Sequence, residues 1–400
     1  MTDPLDRLDL PGGARLDIVV DDDRRRSSLP MVRRHGWRRA VPGDGASEAL
    51  LDLLAAQPGA HRIGRFTVQS WATRSARTER SVGVDQTNES VIVGDAAVVK
   101  WATHLQEGPH PAPRRVSVLR EAGFAGMPAP WGLVTWAPPR ESETVVAYVD
   151  DYVPGAVDGW TWAVDSVTAA AQARRAPAVR PEAEALGTLI ADMHAALAPT
   201  AVVATASDAQ RWHASALATF KTACALGDFT SVHALRTHRA TVLTELEVLQ
   251  TCAGTTVLDG HGDLHVGQVL RGGGRFLVTD FDGNPVLSAA DRVAPIPAVV
   301  DVAGMAQSLA HVAIVAARYA DLDAAALHAV RTTLRDVFVD TYVQRLRHRG
   351  RADLFDRRPL RALRLVQVMR EMIYAARHLP RWMYVPDGAL IDLLEEEATR

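Results

Sequence analysis

The chain contains 400 residues, of which 48% are hydrophobic and 23% are charged. This length suffices for two lobes with hydrophobic cores, and the composition excludes a disordered chain. The formal net charge of −3 gives no reason to expect nucleic acid or an anionic membrane as a partner.

The signals for cellular location favour the cytoplasm. The N-terminus carries acidic residues and has no apolar core of the secretory type, so no signal peptide is predicted. No uninterrupted apolar run reaches membrane-spanning length. The two cysteines, Cys224 and Cys252, fit neither a zinc site nor a disulfide framework, which favours free thiols in a reducing cytosol.

Residues 1–60 are predicted to form a first unit. Residues 16–20 (LDIVV) have the composition of a strand. Residues 47–56 (SEALLDLLAA) have the apolar spacing of a short amphipathic helix, and Ser47 is placed to cap its N-terminus. This segment is therefore expected to hold both a strand and a helix.

Residues 61–153 are predicted to be rich in β-strands, because they contain short runs of β-branched and aromatic residues. The predicted strands are residues 65–68, 90–93 and 97–101. The polar loop at residues 85–90 (DQTNES) lacks a GxGxxG pattern, but its backbone amides are suited to lie over phosphates.

Lys100 closes the third of these strands, and it is one of only two lysines in a chain that otherwise uses arginine. A lysine at the end of such a strand is typical of the group that holds the α- and β-phosphates of a nucleotide. The alternative is an exposed surface lysine. The rarity of lysine here and the two preceding valines favour the nucleotide interpretation.

The last strand of this region lies within residues 145–155 and runs into a linker, where we place the break between two lobes. The backbone N–H and C=O groups of Asp151, Tyr152 and Val153 are predicted to meet the edge of an adenine ring there. A plain strand between lobes is the alternative, because backbone contacts leave no side-chain signature.

Residues 156–400 are predicted to be mostly helical. Apolar residues at helical spacing predict helices over residues 182–197 and 322–349. His194 lies beside the apolar face of the first helix and is assigned no catalytic role. Asp301 is placed either to cap a helix that begins there or to anchor the loop that precedes it, and the two roles are compatible.

Residues 261–285 (HGDLHVGQVLRGGGRFLVTDFDGNP) hold the strongest chemical signal in the chain. A polar loop and a glycine-turned hairpin are predicted to bring Asp263, Gln268 and Asp280 together. Phosphoryl transfer needs such a set, namely a carboxylate beside the attacking hydroxyl and oxygen ligands for Mg²⁺. The order HGD, then an amide five residues later, then DFDG follows the HRDxxxxN and DFG order of protein kinases. The predicted metal ligands are Gln268, Asp280 and Asp282.

HGDLHVGQVLR followed by DFDGNP resembles the aminoglycoside-phosphotransferase-like kinases, and within them the actinobacterial maltokinases and glucosamine kinases. The resemblance implies an α+β, bilobal, protein-kinase-like fold with an N-terminal cap, a β-rich nucleotide-binding lobe and a mostly helical C-lobe. The implied domains are residues 1–60, 61–153 and 154–400. The implied cofactors are ATP and Mg²⁺.

The loop at residues 85–90 resembles the DQSN-type loop of maltokinases. The nucleotide contacts that this resemblance implies are Gln86, Asn88 and Ser90. The family glutamate that would pair with Lys100 falls near Arg114, which cannot accept a hydrogen bond from a lysine. Glu107 or Glu121 is left as a substitute partner, with orientation by the nucleotide alone as the third possibility.

The phrase REMIYAARHLPRWMYVPD near the C-terminus resembles the maltokinase phrase REFLYAARHLPRWRYVPD. Glu371, Tyr374 and Arg377 recur at helical spacing. Trp382 and Tyr384 are expected on an extended piece that the following proline stops. Aromatic rings beside carboxylates suit a sugar, so this phrase is predicted to bind the acceptor, with a packing motif as an equal alternative. The other predicted acceptor contacts are His261, Asp263 and Asp282.

Together these residues predict a sugar kinase in which Asp263 orients the acceptor hydroxyl and accepts its proton. Where maltokinases have DFEGEP this chain has DFDGNP, a form that resembles the glucosamine kinases, so we predict phosphorylation of glucosamine at its 6-hydroxyl. Maltose, phosphorylated at its 1-hydroxyl, is the second candidate acceptor, and an aminoglycoside antibiotic is the third. A nucleotide-binding pseudokinase is the alternative from another class, favoured by Arg114. The expected partner is a small sugar, with neither nucleic acid nor membrane.

Overall fold

The computed structural model describes residues 3–21, 23–82, 89–106 and 108–398. The chain divides into two compact units. The first comprises Met1–Ala156 and Asp280–Ala294, and the second comprises Val157–Thr279 and Pro295–Arg400. The DFDG segment therefore belongs to the first unit and the HGD loop to the second, whereas the sequence analysis assigned both segments to one helical lobe.

The first unit opens with a four-stranded antiparallel sheet followed by a helix. The strands, in spatial order, are β1 Asp6–Leu10, β2 Ala14–Val20, β3 Arg26–Arg33 and β4 Trp37–Arg39. Helix α1 spans Ala46–Ala56. The strand predicted at residues 16–20 is confirmed within β2. The helix is confirmed with its first residue one position earlier than predicted.

A seven-stranded antiparallel sheet completes the first unit, in the order β5-β6-β10-β11-β9-β8-β7. Its strands are β5 Gly59–Ile63, β6 Phe66–Ser70, β7 Glu79–Ser81, β8 Glu89–Val93, β9 Ala97–Trp101, β10 Pro130–Trp136 and β11 Thr144–Asp151. Helix α2 spans Ala112–Glu121. Residues from both sheets and from α1 form one hydrophobic core, which includes Leu16, Leu50 and Trp136. Residues 1–60 and the strands after them are thus stabilised by the same apolar burial.

The N-terminus of α1 is capped from a distant strand rather than by Ser47. The Ser47 hydroxyl instead accepts a hydrogen bond from the indole N–H of Trp101. The carboxylate of Glu79 accepts the backbone N–H groups of Gly45 and Ser47 at 3.0 and 2.6 Å, and two further N–H groups nearby. The prediction that Ser47 caps the helix is wrong, because a negative carboxylate satisfies several helix-terminal donors at once.

We expect Glu79→Ala to lower the free energy of unfolding by about 2 kcal/mol, because it leaves several N–H groups at the positive end of α1 without a charged acceptor. Urea denaturation followed by circular dichroism measures this change. Glu247→Ala is the matched control, since Glu247 is an exposed glutamate at the end of a helix in the second unit. Equal stability of the two variants would contradict the capping role of Glu79.

The second unit is mostly helical and contains two small two-stranded sheets. Its elements before residue 280 are α3 Gly159–Gln172, α4 Arg180–Leu197, β12 Val202–Val203, α5 Ala206–Cys224, α6 Thr230–Thr237, α7 Arg239–Glu247, β13 Thr256–Val257, β14 Val269–Gly272 and β15 Arg275–Val278. A short helix of the first unit, α8 Ala289–Val293, follows in the chain. The remaining helices are α9 Ala298–Tyr319, α10 Ala324–His348, α11 Leu360–His378 and α12 Tyr384–Ala398.

Helix α9 is the central helix of the second unit and contacts α3, α10, α11 and α12. It is the one helix of the described ranges long and apolar enough to cross a membrane, with a mean hydropathy of 1.6 over its most apolar window. However, 89% of that window is buried inside the protein. Its apolar surface is therefore covered by neighbouring helices, as in the core of a globular unit.

Two local predictions in this unit have opposite outcomes. Strands β14 and β15 pair antiparallel around a two-residue turn, Gly273-Gly274, with φ of 58° and 76°. This left-handed conformation is one that glycine adopts without strain, so the predicted hairpin is confirmed.

The extended piece predicted at Trp382 and Tyr384 is wrong, because a 3₁₀ turn and then α12 occupy these positions. Pro386 lies in the first turn of α12, where a helix needs no N–H donor.

Candidate active site

Lys100 is paired with an aspartate on the neighbouring strand of the first unit. Its Nζ lies 3.3 Å from Oδ2 of Asp150. Lys100 faces Tyr148 in the register of β9 and β11, so Asp150 is its diagonal neighbour. The suggested substitute Glu107 lies outside the described residues, and Glu121 lies at the exposed end of α2. The acidic partner of the lysine is therefore a residue that the sequence analysis did not consider.

Four charges act on one another around Lys100. Burial disfavours its ammonium, but three carboxylates outweigh burial and raise the pKa of Lys100. These carboxylates belong to Asp150, Asp280 and Asp282. Desolvation, together with the negative charge of Asp280, raises the pKa of Asp282 to about 7. The charge of Asp280 thus disfavours the ionised form of Asp282, and a divalent cation bound between the two carboxylates would relieve that repulsion.

This acidic pair fits a magnesium ion that is shared with a nucleotide. No group of three or more His, Cys, Asp or Glu side chains within the described ranges is arranged to hold a metal alone. Magnesium is commonly bound by one or two carboxylates together with substrate phosphates. Asp280 and Asp282 supply that number of carboxylates, so the donor set fits the predicted ion.

The segment that carries these aspartates is held by Arg115 of α2. Arg115 is buried, and its guanidinium donates to the backbone carbonyls of Phe281 at 3.0 Å and Arg292 at 2.9 Å. A Cβ at Gly283, which has a φ of 71°, would lie 2.9 Å from the same guanidinium. Sequence reasoning considered only Arg114 here. The sequence signal for this contact was Arg115, the second arginine of a short helix. A buried arginine needs several hydrogen-bond acceptors, which here are backbone carbonyls.

Asp280 itself has a left-handed backbone, with a φ of 65°. Among residues with a Cβ, aspartate and asparagine tolerate this conformation best. Backbone strain of this kind clusters at functional sites. The conformation is consistent with the role that the sequence predicts for Asp280.

The predicted nucleotide contacts have different outcomes. Gln86 and Asn88 lie outside the described residues. Ser90 is the cross-strand partner of Lys100 on β8. The N–H groups of Asp151 and Tyr152 already donate to the carbonyls of Ala129 and Ala96, each at 2.9 Å. These two N–H groups are therefore not donors to an adenine, and the predicted donor is limited to Val153.

In the second unit, Asp301 anchors the HGD loop. Its carboxylate accepts the backbone N–H groups of His261 at 2.7 Å and Gly262 at 2.8 Å. His194, whose other ring nitrogen contacts Tyr342, lies 3.1 Å from the same carboxylate. Burial raises the pKa of Asp301, but these contacts outweigh it and lower that pKa. The anchoring prediction is confirmed, and the capping prediction is wrong because α9 begins three residues earlier.

His261 is a fully buried residue of the HGD loop. It has no exposed surface, and its Nε2 lies 3.0 Å from the carbonyl oxygen of Thr279. The contact of His261 with the acceptor stays a prediction. Thr279 also donates its backbone N–H to the carbonyl of Gln268 at 2.9 Å, and the Gln268 amide nitrogen lies 3.4 Å from Nε2 of His265. These contacts order the loop immediately before Asp280 in the chain.

Asp263 is partly exposed and interacts electrostatically with two neighbouring residues of α11, Arg370 and Glu371. Burial lowers the pKa of Arg370, while the charge of Asp263 acts in the opposite direction. Burial raises the pKa of Glu371 to about 8, and Asp263 adds to this shift. The predicted base and one predicted acceptor residue therefore lie near each other. Arg370 was missed because nothing in the sequence indicates which side of α11 faces the loop.

The other predicted acceptor residues of the second unit have two kinds of environment. Tyr374 and Arg377 are exposed, and the Tyr374 ring packs against His378. Trp382 is partly buried and contacts the rings of Trp160 and Tyr384 edge-on, with ring centroids 5.8 Å apart in each pair.

Trp160 adds an aromatic residue that sequence reasoning did not assign to the site. Its indole nitrogen lies next to Gly267, where a Cβ would be 2.9 Å from it. A Cβ at Gly159 would be 1.7 Å from the carbonyl oxygen of Val266, so the start of α3 packs directly on the HGD loop. The aromatic group of Trp160, Trp382 and Tyr384 therefore adjoins the loop that carries Asp263.

The chain was compared with known proteins. No protein-family model matches it. A glucosamine kinase from Mycolicibacterium smegmatis (strain ATCC 700084 / mc(2)155) is 59% identical over 395 residues, which cover 98% of each chain. A glucosamine kinase from Streptacidiphilus jiangxiensis is 43% identical over 399 residues, which cover 97% of this chain and 90% of the relative.

A solved structure of glucosamine kinase in complex with glucosamine, ADP and inorganic phosphate has a TM-score of 0.86 and is 40% identical, covering 98% of this chain and 95% of that chain. The fold and site define a phosphotransferase of the protein-kinase-like class. The β-rich unit contains the paired lysine and the DFDG segment, and the helical unit contains the anchored HGD loop. At 59% identity over nearly its full length, the chain belongs to the glucosamine kinase family.

Proposed function

We propose that this protein transfers the γ-phosphoryl group of ATP to the 6-hydroxyl of glucosamine, giving glucosamine 6-phosphate and ADP. The observation that carries this proposal is the 59% identity over 98% of both chains to a glucosamine kinase. The complex of the 40% identical structure contains glucosamine and ADP, which are the acceptor and the nucleotide product of this reaction. The relatives described above give no support to maltose as the acceptor.

The first unit is proposed to hold the nucleotide. Lys100, kept charged by its carboxylate neighbours, holds the α- and β-phosphates. Asp280 and Asp282 hold Mg²⁺, which when bound neutralises charge on the β- and γ-phosphates. Ser90, Gln86 and Asn88 are assigned to the phosphate loop. The N–H group of Val153 and the backbone carbonyls of residues 151–153 are assigned to the adenine.

The second unit is proposed to bind and orient the sugar acceptor. Asp263 orients the sugar hydroxyl and accepts its proton as the bond to phosphorus forms. Gln268 is assigned as a further oxygen ligand. The carboxyl group of Glu371 is assigned to the sugar ammonium, since the pair of opposite charges is the strongest polar contact available to an amino sugar. The other residues assigned to the acceptor are Tyr374, Arg377, Trp382 and Tyr384.

The domain roles and the location follow from these assignments. We propose residues 1–60 as a cap, residues 61–153 as the nucleotide-binding part and residues 154–400 as the acceptor-binding part, with the DFDG segment serving the nucleotide. We place the protein in the cytoplasm, where ATP is available. The two cysteines, Cys224 and Cys252, are both free thiols, which suits that reducing compartment.

The test is an acceptor panel with purified protein, ATP and Mg²⁺, in which ADP release is measured for glucosamine, maltose and an aminoglycoside. Phosphorus NMR of the sugar product identifies the phosphorylated hydroxyl. We expect glucosamine to be phosphorylated at position 6, with the highest kcat/KM of the panel. Preferred turnover of maltose would overturn the acceptor assignment. Nucleotide binding with no turnover on any acceptor would identify a pseudokinase.

A further inference from the structure

The carboxyl group of Glu371 is only half satisfied by the protein. Its Oε1 accepts a hydrogen bond from the Gln367 amide at 2.8 Å. Its Oε2 is buried and has no hydrogen-bond partner. Nδ1 of His311 lies 3.0 Å from Oε2 but is not aligned to donate to it. A buried acceptor without a donor is costly, and here it is one that an incoming cationic group would satisfy.

Among the described residues, no positive side chain stabilises the charged form of this carboxyl group. His311 on α9 is neutral, because burial and the nearby charge of Arg364 lower its pKa to about 3. Arg364 itself is paired with Glu396 of α12. The charged group that acts on Glu371 is Asp263 of the HGD loop, which is negative.

The surroundings of Glu371 are therefore an uncharged amide on its own helix, a neutral imidazole on α9 and a carboxylate on the loop. Such a site favours the neutral acid when no cation is bound. Burial raises the pKa of the carboxyl group to about 8, so most molecules carry the proton at neutral pH.

We propose that glucosamine binds by charge exchange at Glu371, so that the ammonium of the sugar enters as the carboxyl group releases its proton to solvent. This inference rests on the proposed function. The exchange is balanced, since a neutral acid and a cationic sugar become a carboxylate–ammonium pair and one free proton. The empty site thereby avoids a buried uncompensated charge, and the occupied site contains a buried pair with its partner in place.

The exchange makes the binding equilibrium depend on pH in a defined direction. An amine of the α-amino type titrates at about 7.7–8.0. Well below about pH 8 the sugar is charged and the carboxyl group is protonated, so one proton leaves per sugar bound. Well above it the carboxylate is already ionised and the amine is neutral, so one proton is taken up. Affinity should therefore be highest near pH 8 and fall about tenfold per pH unit on the acid side.

Isothermal titration of glucosamine into the full-length protein with ADP and Mg²⁺ present tests the proposal. At about pH 7 the titration is run in two buffers that differ in ionisation enthalpy, and the difference in heat counts the protons exchanged. We expect about one proton released per glucosamine, and no net exchange near pH 8. Glucosamine that binds and is turned over with heats independent of buffer would overturn the proposal. Absence of glucosamine binding and turnover would instead contradict the proposed function.

Two variants assign the proton to its source. Glu371→Gln replaces a neutral acid with a neutral amide of the same shape, so it should fold, bind ADP normally and release no proton. Its affinity for glucosamine should fall at least tenfold near pH 8. Glu247→Gln, at an exposed glutamate of α7, should behave as wild type. Undiminished proton release in Glu371→Gln would also overturn the proposal, and the wild-type titration remains decisive if that variant does not fold.

Discussion

Replacing Asp263 with asparagine should lower kcat by about a hundred- to ten-thousand-fold, the range that a positioned general base contributes. The asparagine keeps the shape of the side chain but cannot accept the hydroxyl proton. Affinity for ADP should be unchanged, because the proposed nucleotide ligands Lys100, Asp280 and Asp282 belong to the first unit. The measurements are ADP release at saturating glucosamine and isothermal titration of ADP.

Asp165→Asn is the control for this prediction, since Asp165 is an exposed aspartate of α3 and its replacement should leave turnover unchanged. Near-normal turnover in Asp263→Asn would refute the role of Asp263 as the base. Loss of ADP affinity together with turnover would indicate damage to the fold rather than loss of a proton acceptor.

Asp280→Asn should reduce kcat by about a thousand-fold or more, because stabilisation of phosphoryl charge by a bound cation contributes several kcal/mol to the transition state. Asparagine tolerates the left-handed backbone that Asp280 adopts, so the variant tests charge rather than conformation. In addition to turnover, the thermal stabilisation by ATP should be measured with and without Mg²⁺. We expect Mg²⁺ to enhance the stabilisation of wild type but not of the variant.

Asp321→Asn is the matched control, because Asp321 is an exposed aspartate just after α9. The same Mg²⁺-dependent stabilisation in Asp280→Asn as in wild type would contradict the role of Asp280 as a metal ligand. Removal of this carboxylate also removes one of the charges that raise the pKa of Lys100. A change in the pKa of Lys100 by itself would not abolish the Mg²⁺-dependent stabilisation by ATP. Loss of the metal ligand can therefore be distinguished from the altered charge of Lys100.

The sequence by itself determined the parts of this protein that depend on local order. The hairpin after the HGD loop requires glycine at two left-handed positions, and the chain has Gly273 and Gly274 there. The apolar spacing at residues 182–197 and 322–349 predicted α4 and α10 within a few residues, because helix formation depends on near neighbours. The HGD and DFDG motifs indicated the chemistry because their residues have specific roles in phosphoryl transfer.

Only the tertiary structure decided which distant groups meet. Asp150 pairs with Lys100 through strand register, Glu79 replaces Ser47 at the start of α1, and Arg115 holds the DFDG backbone. Each of these contacts satisfies a buried donor or charge with whatever acceptor the packed fold brings near. The half-buried acid Glu371 is the same kind of result, since its ionisation depends on desolvation by elements far apart in the chain. Local sequence carries no record of such pairings, because burial and register are properties of the assembled core.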